Sequence, residues 1–589
     1  MIGSVAIYHK AFYALGVIGC LLLAVAPFSA QRAQRKSWVD VTIGTLTLEE
    51  KVGQLLVPTI EGVFTPRDGA SFQRIRREIE AFHVGGFHTF GGDPASTALL
   101  INHLQSLAKI PLLITADLEG GVGYQFRGAT RIPRAMALGA TGLEQMAFEA
   151  GRITAVEGRA MGIHLNFYPV VDVNNNPRNP IINIRSFGED AELVSKMARA
   201  YIRGAQGAGQ IATAKHFPGH GDTGMDSHLE LPVIDADMAR LRAVELPPFK
   251  AAIEEGVGAI MAAHIALPKL EGTPGLPATL SPRILTGLLR QELGFNGLVF
   301  TDAMTMRGVS AHFEEADAAI RAIQAGADII LFPVSTEKTY NALLQAVRDG
   351  KITEQRLHQS VRRILAVKER AGLDGERMVD LAQLDGMLAN RENQRLARTM
   401  IERGITLVRD EKNALPLKLR DEQQVVYINL IDSGEGYREG APGAAFRAEL
   451  RRHHSKTLDV QVSDRTTSAE FDLVRKLITT ADVVMVNGFI RVAAYKGSID
   501  LTEGQLSLLK HLSAIDMPMI FTLFGSPYLL SFVPELPTLI LTYEYYPEAE
   551  LAALRAILGE IEFKGHLPIN LPGAYPIGHG LYRSLQIMH

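Results

Sequence analysis

The stretch Ile211-Ala212-Thr213-Ala214-Lys215-His216-Phe217 decides how this chain is read. Its opening residues are small, apolar or β-branched, as in a parallel strand covered on both faces. It then closes on a lysine and a histidine and runs into Pro218-Gly219-His220-Gly221-Asp222-Thr223-Gly224-Met225-Asp226-Ser227-His228. Pro218 has no N–H to donate, and three glycines weaken helix and strand alike, so this second part is a shaped loop. Between Lys215 and His228 the chain carries one Lys, three His and two Asp. Titratable groups concentrated in this way are what acid–base chemistry requires.

The same alternation spreads outward from this stretch. Nearly continuous apolar runs at residues 54–59, 84–90, 111–117, 164–173, 211–217, 258–264, 297–303 and 327–334 predict parallel strands. Amphipathic helical patterns separate them, at 71–82, 97–109, 143–161, 191–204, 237–255, 282–293 and 314–325. Eight strands with a helix after each predict a closed (β/α)8 barrel of the TIM type. A second αβ series follows, with strands expected at 404–408, 425–430, 458–462, 483–489, 519–524 and 538–543. Six short strands with crossover helices predict an αβα sandwich, and no G-x-G-x-x-G follows any of them to suggest a dinucleotide. The α/β chain is therefore divided into 1–36, a barrel over 37–372, a linker over 373–395 and a C-terminal αβα sandwich over 396–589.

Segment 1–36 differs from the rest. His9 and Lys10 precede an apolar run from Ala11 to Ala26, then Pro27-Phe28-Ser29-Ala30 and the polar Gln31-Arg32-Ala33-Gln34-Arg35-Lys36. This order of basic, apolar and small residues predicts a secretory signal or an N-terminal anchor, and an exported, periplasmic or extracellular bacterial protein. The run is short for a stable span, and the single cysteine, Cys20, lies inside it, so no disulfide is expected in the mature chain. A formal charge of −4 over 589 residues leaves no basic footprint for nucleic acid.

In a β/α barrel the chemistry sits at the C-terminal strand ends. Asp117 ends the third expected strand, Asp172 the fourth, Lys215 and His216 the fifth, His264 the sixth and Asp302 the seventh, with Arg185 in the long loop after the fourth. These residues are expected to converge on one mouth. His216, His220, Asp222, Asp226 and His228 are all candidate metal ligands, but Pro218-Gly219 prevents His216 and His220 from forming a helical i, i+4 pair. Neither a G-x-S-x-G elbow nor a Walker loop is present. The remaining class is transfer at an acetal carbon, which needs an attacking carboxylate and a proton donor. Asp302, on a strand end, suits the nucleophile; Asp226 with His228 suits an oriented imidazole donor.

The quoted loop, together with Asp117-Leu118-Glu119-Gly120-Gly121, Tyr168-Pro169-Val170-Val171-Asp172-Val173, Arg185-Ser186-Phe187-Gly188 and Phe300-Thr301-Asp302-Ala303-Met304, resembles the motifs of glycoside hydrolase family 3. The likeness is to its bacterial β-N-acetylglucosaminidase (β-N-acetylhexosaminidase) branch. Ile405-Thr406-Leu407-Val408, Leu415-Pro416-Leu417, Leu567-Pro568-Ile569 and Pro576-Ile577-Gly578 resemble the family's second domain more weakly. The resemblance implies a retaining hydrolase releasing terminal β-linked N-acetylglucosamine from peptidoglycan or chitin fragments. In it Asp302 matches the nucleophile, His228 the acid/base, Asp226 its partner, and Asp117, Arg185, Lys215 and His216 the sugar contacts. No cofactor and no metal are implied. The expected partner is a small oligosaccharide or muropeptide, with a membrane touched only through an N-terminal anchor.

The chain departs from the family pattern where arginines often follow the Asp-x-Glu-Gly-Gly segment. Here Val122-Gly123-Tyr124-Gln125-Phe126 precedes Arg127. Because Asp226 and His228 supply an acid/base from the barrel, the second domain is expected to be structural. The alternatives are a β-glucosidase or an N-acetylglucosamine phosphorylase of the same family, a catalytically silent sugar-binding protein on the same scaffold, and a metal-dependent hydrolase.

Overall fold

A computed structural model describes residues 37–432, 441–496, 501–531 and 535–584; the expected N-terminal signal, with Cys20, lies outside them. The first barrel strand is β1 (Leu56–Val57) and β2 (Thr59–Glu61), interrupted at Pro58. After it, β3 (Gly86–Phe90), β4 (Leu113–Ala116), β5 (Leu165–Asn166), β6 (Ile211–Phe217), β7 (Ala259–Ala262) and β8 (Leu298–Thr301) stand side by side in chain order. All of these neighbours pair in parallel. β9 (Ile330–Leu331) pairs in parallel with β1, and a Phe300–Ile329 bridge joins β8 to the approach of β9. The ring is closed, and with β1 and β2 counted together it has the eight strands expected.

Proline accounts for two local departures from expectation. The fourth strand was expected over 164–173, but its ladder is confined to Leu165–Asn166 and resumes only at a Val170–Lys215 bridge. Pro169 lies between and has no N–H for the ladder. The helix expected over 237–255 is two helices, Met238–Ala243 and Leu246–Glu254, with Pro247 and Pro248 in the first turn of the second. Proline is tolerated there because the first-turn N–H groups have no intrahelical acceptor.

The second sheet has the order β10-β15-β14-β13-β11-β12. Its strands are β10 (Thr406–Asp410), β11 (Val425–Ile431), β12 (Thr457–Val462), β13 (Val483–Ile490), β14 (Met519–Gly525) and β15 (Thr538–Leu541). All pairs are parallel except β10 with β15. Its apolar runs are continuous because both faces are covered. Val426, Ile428 and Leu430 share a core with Phe471, Val474, Leu508 and Leu512 on one side. Tyr427 and Ile431 share another with Phe446, Leu450, Ala553 and Ile557 on the other. This is the three-layer αβα sandwich. Met136, Ala137, Ala140 and Ile184 of the barrel segment join the first of these cores, so the two domains meet through packed apolar side chains.

At the opposite end of the barrel from the site, Asp328 precedes β9 with no solvent exposure. It accepts from Arg290 at 2.6 Å, Arg363 at 3.1 Å, Ser360 at 2.7 Å and the Val299 N–H at 3.1 Å. A buried anion that pairs with partly buried guanidinium groups is costly to remove, since the cations lose their partner in a half-enclosed site. Asp328→Ala should therefore lower stability by about 3–5 kcal/mol in denaturant unfolding while leaving the turnover of folded protein unchanged. A loss below about 1 kcal/mol, the range of a surface ion pair, contradicts this reading.

Candidate active site

Successive residues of a strand point to opposite faces, so adjacent Lys215 and His216 should not share one cavity. The register of β6 on β7 shifts between Lys215 and Phe217, and this irregularity brings both side chains into the mouth. Behind them Asp172 is fully enclosed. It accepts from His216 Nδ1 at 2.7 Å, the His216 N–H at 3.2 Å and the His220 N–H at 2.7 Å. A Cβ on Gly221 would sit 1.8 Å from the Val173 carbonyl, so only glycine lets the loop pass this closely. Burial lowers the His220 imidazole to about 4, and its Nε2 lies 2.9 Å from Ser227 Oγ.

Lys215 Nζ reaches Asp117 at 2.7 Å and Glu119 at 2.8 Å. Arg185 grips both oxygens of Glu119 at 2.8 and 2.9 Å. Burial opposes ionisation of Glu119, but the Arg185 and Lys215 charges outweigh it and hold the carboxyl well below its ordinary value. Burial likewise opposes the Lys215 charge, and Asp117 and Glu119 outweigh it to raise that group. Beneath Asp117, burial lowers His88 to about 4, with its Nε2 3.6 Å from Asp117 Oδ2.

Asp302 directly follows β8 and accepts the Ala303 N–H at 2.8 Å. Burial opposes its ionisation, but His216, His264, His228 and that N–H together carry the carboxyl down to about 2. His264, lowered by burial, is held by Thr279 at 2.8 Å and the Ala303 carbonyl at 3.1 Å. His228 Nδ1 lies 2.8 Å from Asp226 Oδ1, which leaves Nε2 outside that contact. The second oxygen of Asp226 accepts the Tyr495 N–H at 2.8 Å, and the Tyr495 ring meets the His228 ring edge-to-face at 5.0 Å.

Asp117, Arg185, Lys215, His216, His228 and Asp302 all line one cleft of about 1130 Å³, and Asp226 stands behind His228. Glu119 lines it as well and was absent from the sequence-derived set, although the motif containing it was singled out. The second domain contributes Val492, Ala493, Ala494 and Tyr495 to the wall, so it is more than the structural appendage expected. The candidate metal ligands are engaged by protein partners: His216 with Asp172, His220 with Ser227, Asp222 with Arg240 and Asp226 with His228. Among the described residues no group of three or more His, Cys, Asp or Glu is placed to hold a metal ion.

Residues 47–367 match the family described as the glycosyl hydrolase family 3 N terminal domain. The chain belongs to glycoside hydrolase family 3. It is 32% identical over 572 residues to a beta-N-acetylglucosaminidase/beta-glucosidase of Cellulomonas fimi, an alignment covering 93% of this chain and 98% of that protein. It is 36% identical to beta-hexosaminidase A of Pseudoalteromonas piscicida, over 60% of this chain and 64% of that one. Among solved structures, a family 3 beta-N-acetylglucosaminidase from Paenibacillus sp. str. FPU-7 superposes with a TM-score of 0.80 at 35% identity, covering 89% of this chain and 99% of that chain. A beta-glucoside phosphorylase also superposes at 0.80, with 27% identity over 91% of this chain and 96% of its own. The family fold is thus present with both domains, and the chain is a glycoside hydrolase.

In the loop that departs from the family pattern, Tyr124 and Gln125 line the cleft, and the Arg134 guanidinium stacks over Tyr124 at 5.3 Å and over Tyr545 at 4.7 Å. A cation therefore reaches this wall from further along the chain than the motif suggested. The lowered Asp302 carboxyl has a thermodynamic consequence. Ionised in the fold down to about 2 against an ordinary 3.8, it stabilises the protein above pH 3.8, and that contribution is lost as pH falls through about 2. The stability of the wild type relative to Asp302→Asn should fall between about pH 5 and about pH 2 in denaturant unfolding. A difference that stays constant across that window contradicts the depressed carboxyl.

Proposed function

We propose that this protein is a retaining exo-β-N-acetylglucosaminidase that hydrolyses terminal β-linked N-acetylglucosamine from peptidoglycan or chitin fragments. The observation that carries the reading is the pairing, in one cleft, of an ionised Asp302 with an Asp226-oriented His228. In the first step an Asp302 oxygen attacks the anomeric carbon and the bond to the leaving oxygen breaks. His228 Nε2 gives its proton to that oxygen. In the second step His228 takes a proton from water, the water oxygen attacks the same carbon, and the Asp302 ester bond breaks. Two inversions leave the β configuration unchanged.

Asp226 keeps Nδ1 of the imidazole occupied and balances the charge that His228 carries before the first transfer and after the second. The Lys215, Asp117, Glu119 and Arg185 network offers donors and acceptors for sugar hydroxyls, fixed in place by mutual ion pairs. This preorganisation suits recognition of a terminal residue, and the remaining volume of the cleft leaves room for an aglycone. Export of the protein is proposed from the basic–apolar–small pattern of residues 1–36, and an external glycan is the substrate that fits it.

A second reading, cleavage of β-glucosides, is favoured by the double name of the Cellulomonas fimi relative, and phosphorolysis by the phosphorylase among the structural neighbours. One assay separates them: turnover of an aryl β-N-acetylglucosaminide beside the matching β-glucoside, each with and without inorganic phosphate. The expected outcome is faster release from the amino sugar, free sugar as product, and no phosphate dependence. Asp302→Ala should abolish turnover, and His228→Ala should cost about 10²–10⁴-fold on a substrate with a poor leaving group. Undiminished turnover in Asp302→Ala contradicts the nucleophile, and a sugar 1-phosphate product contradicts hydrolysis.

A further inference from the structure

In the sandwich sheet the chain leaves β11 for β12 on one side, and β13 lies on the other. The strand order reverses there, and in open α/β sheets the crevice at the carboxyl ends of such strands is where ligands bind. Asp432 follows β11 and residues 491–496 follow β13, so both belong to this crevice. Asp432 is fully enclosed; its carboxylate accepts the Arg491 N–H at 2.8 Å and pairs with the Lys496 ammonium. Lys496 also donates to the Arg491 carbonyl at 2.9 Å, and the Tyr545 hydroxyl donates to the Val492 carbonyl at 3.4 Å. The segment between Arg491 and Lys496 is thus clamped at both ends.

What this clamped segment presents is Tyr495, in the left-handed conformation at φ 66°. Its N–H meets the Asp226 oxygen that His228 leaves open, and its ring covers one side of the His228 imidazole. Tyr495 as a whole is 62% exposed, so the contact is not a by-product of a packed core. The crevice that would hold a ligand in a free-standing sheet is here turned to the acid–base loop of the barrel.

We propose that the sandwich domain completes the acid–base pair, with Tyr495 as the positioning residue that fixes Asp226 through its amide and His228 through its ring. The inference rests on His228 being the acid/base. A loosened Asp226–His228 pair delivers its proton less well, which slows departure of a basic leaving group and hardly affects one that leaves unaided.

The test compares kcat/KM for phenyl and 2,4-dinitrophenyl β-N-acetylglucosaminides in the full-length protein. Tyr495→Gly removes the ring while retaining the amide at a backbone conformation glycine accepts. It should lower the phenyl value about tenfold, a fraction of the full effect of general acid catalysis, and the dinitrophenyl value less than about twofold. Tyr495→Phe should restore the phenyl rate. Lys496→Met, which releases the clamp outside the cleft, should reproduce the selective loss in weaker form. His228→Ala is the reference. If it loses the phenyl activity selectively while Tyr495→Gly loses both equally or neither, the positioning role is overturned alone. If His228→Ala is itself unselective, the acid assignment falls and this inference with it.

Discussion

The enclosed carboxylate of Asp172 is the constraint on which the site depends. It is shut off from bulk solvent, so its oxygens are costly to leave unpaired, and they are satisfied by three donors of the segment that ends β6 and begins the loop. That exchange fixes the His216 ring against the cleft and sets the direction in which the chain leaves the barrel. Gly221 then passes against the Val173 carbonyl, and the loop is tied again where His220 Nε2 meets Ser227 Oγ. By the time the chain reaches Asp226 its course has been determined twice. His228 is precise because the segment leading to it has little freedom left.

The charged groups of the cleft fall into two sets. Arg185, Glu119, Lys215 and Asp117 form an alternating chain of ion pairs, each carboxylate shared with a cation. Asp302 stands apart from it. No ion pair to Asp302 occurs among the described residues, and its Oδ1 accepts the N–H of Ala303. Imidazoles, not a guanidinium or an ammonium in contact, lower its carboxyl. This is the state that the proposed nucleophile role requires: ionised, yet with an oxygen that is not already committed to a strong partner.

The barrel was legible because its strands are apolar on both faces and end on polar residues, a pattern that is local to each strand. Of the residues named from strand ends and from the loop, Asp117, Arg185, Lys215, His216, His228 and Asp302 line one cleft, with Asp226 behind His228, while Asp172 and His264 are buried beside residues that line it. What remained hidden is non-local. Glu119 acquires its place from Arg185, 66 residues away, and Tyr495 from Asp226, 269 residues away. No periodicity or spacing records such pairings. The second domain looked structural for the same reason: the small segment 491–496 has neither an apolar period nor a titratable motif, and its position comes from the Asp432 clamp. The interruptions at Pro169 and at Pro247-Pro248 were legible in principle, since both follow from a missing N–H, but an apolar run conceals them.

The electrostatics of the cleft are unfavourable to a protonated carboxylic acid. A carboxylic acid that must stay protonated near neutral pH needs apolar surroundings to raise it. This cleft does the opposite: its imidazoles and the Ala303 N–H bring Asp302 to about 2 despite burial. Asp226 stands 2.8 Å from Nδ1 of the His228 imidazole. Asp226 must in turn stay ionised although it is enclosed, and the donors that keep it so are His228 from the barrel and the Tyr495 N–H from the sandwich. On the proposed reading Asp226 orients the His228 imidazole, and the second domain supplies one of the donors that Asp226 accepts, the Tyr495 N–H.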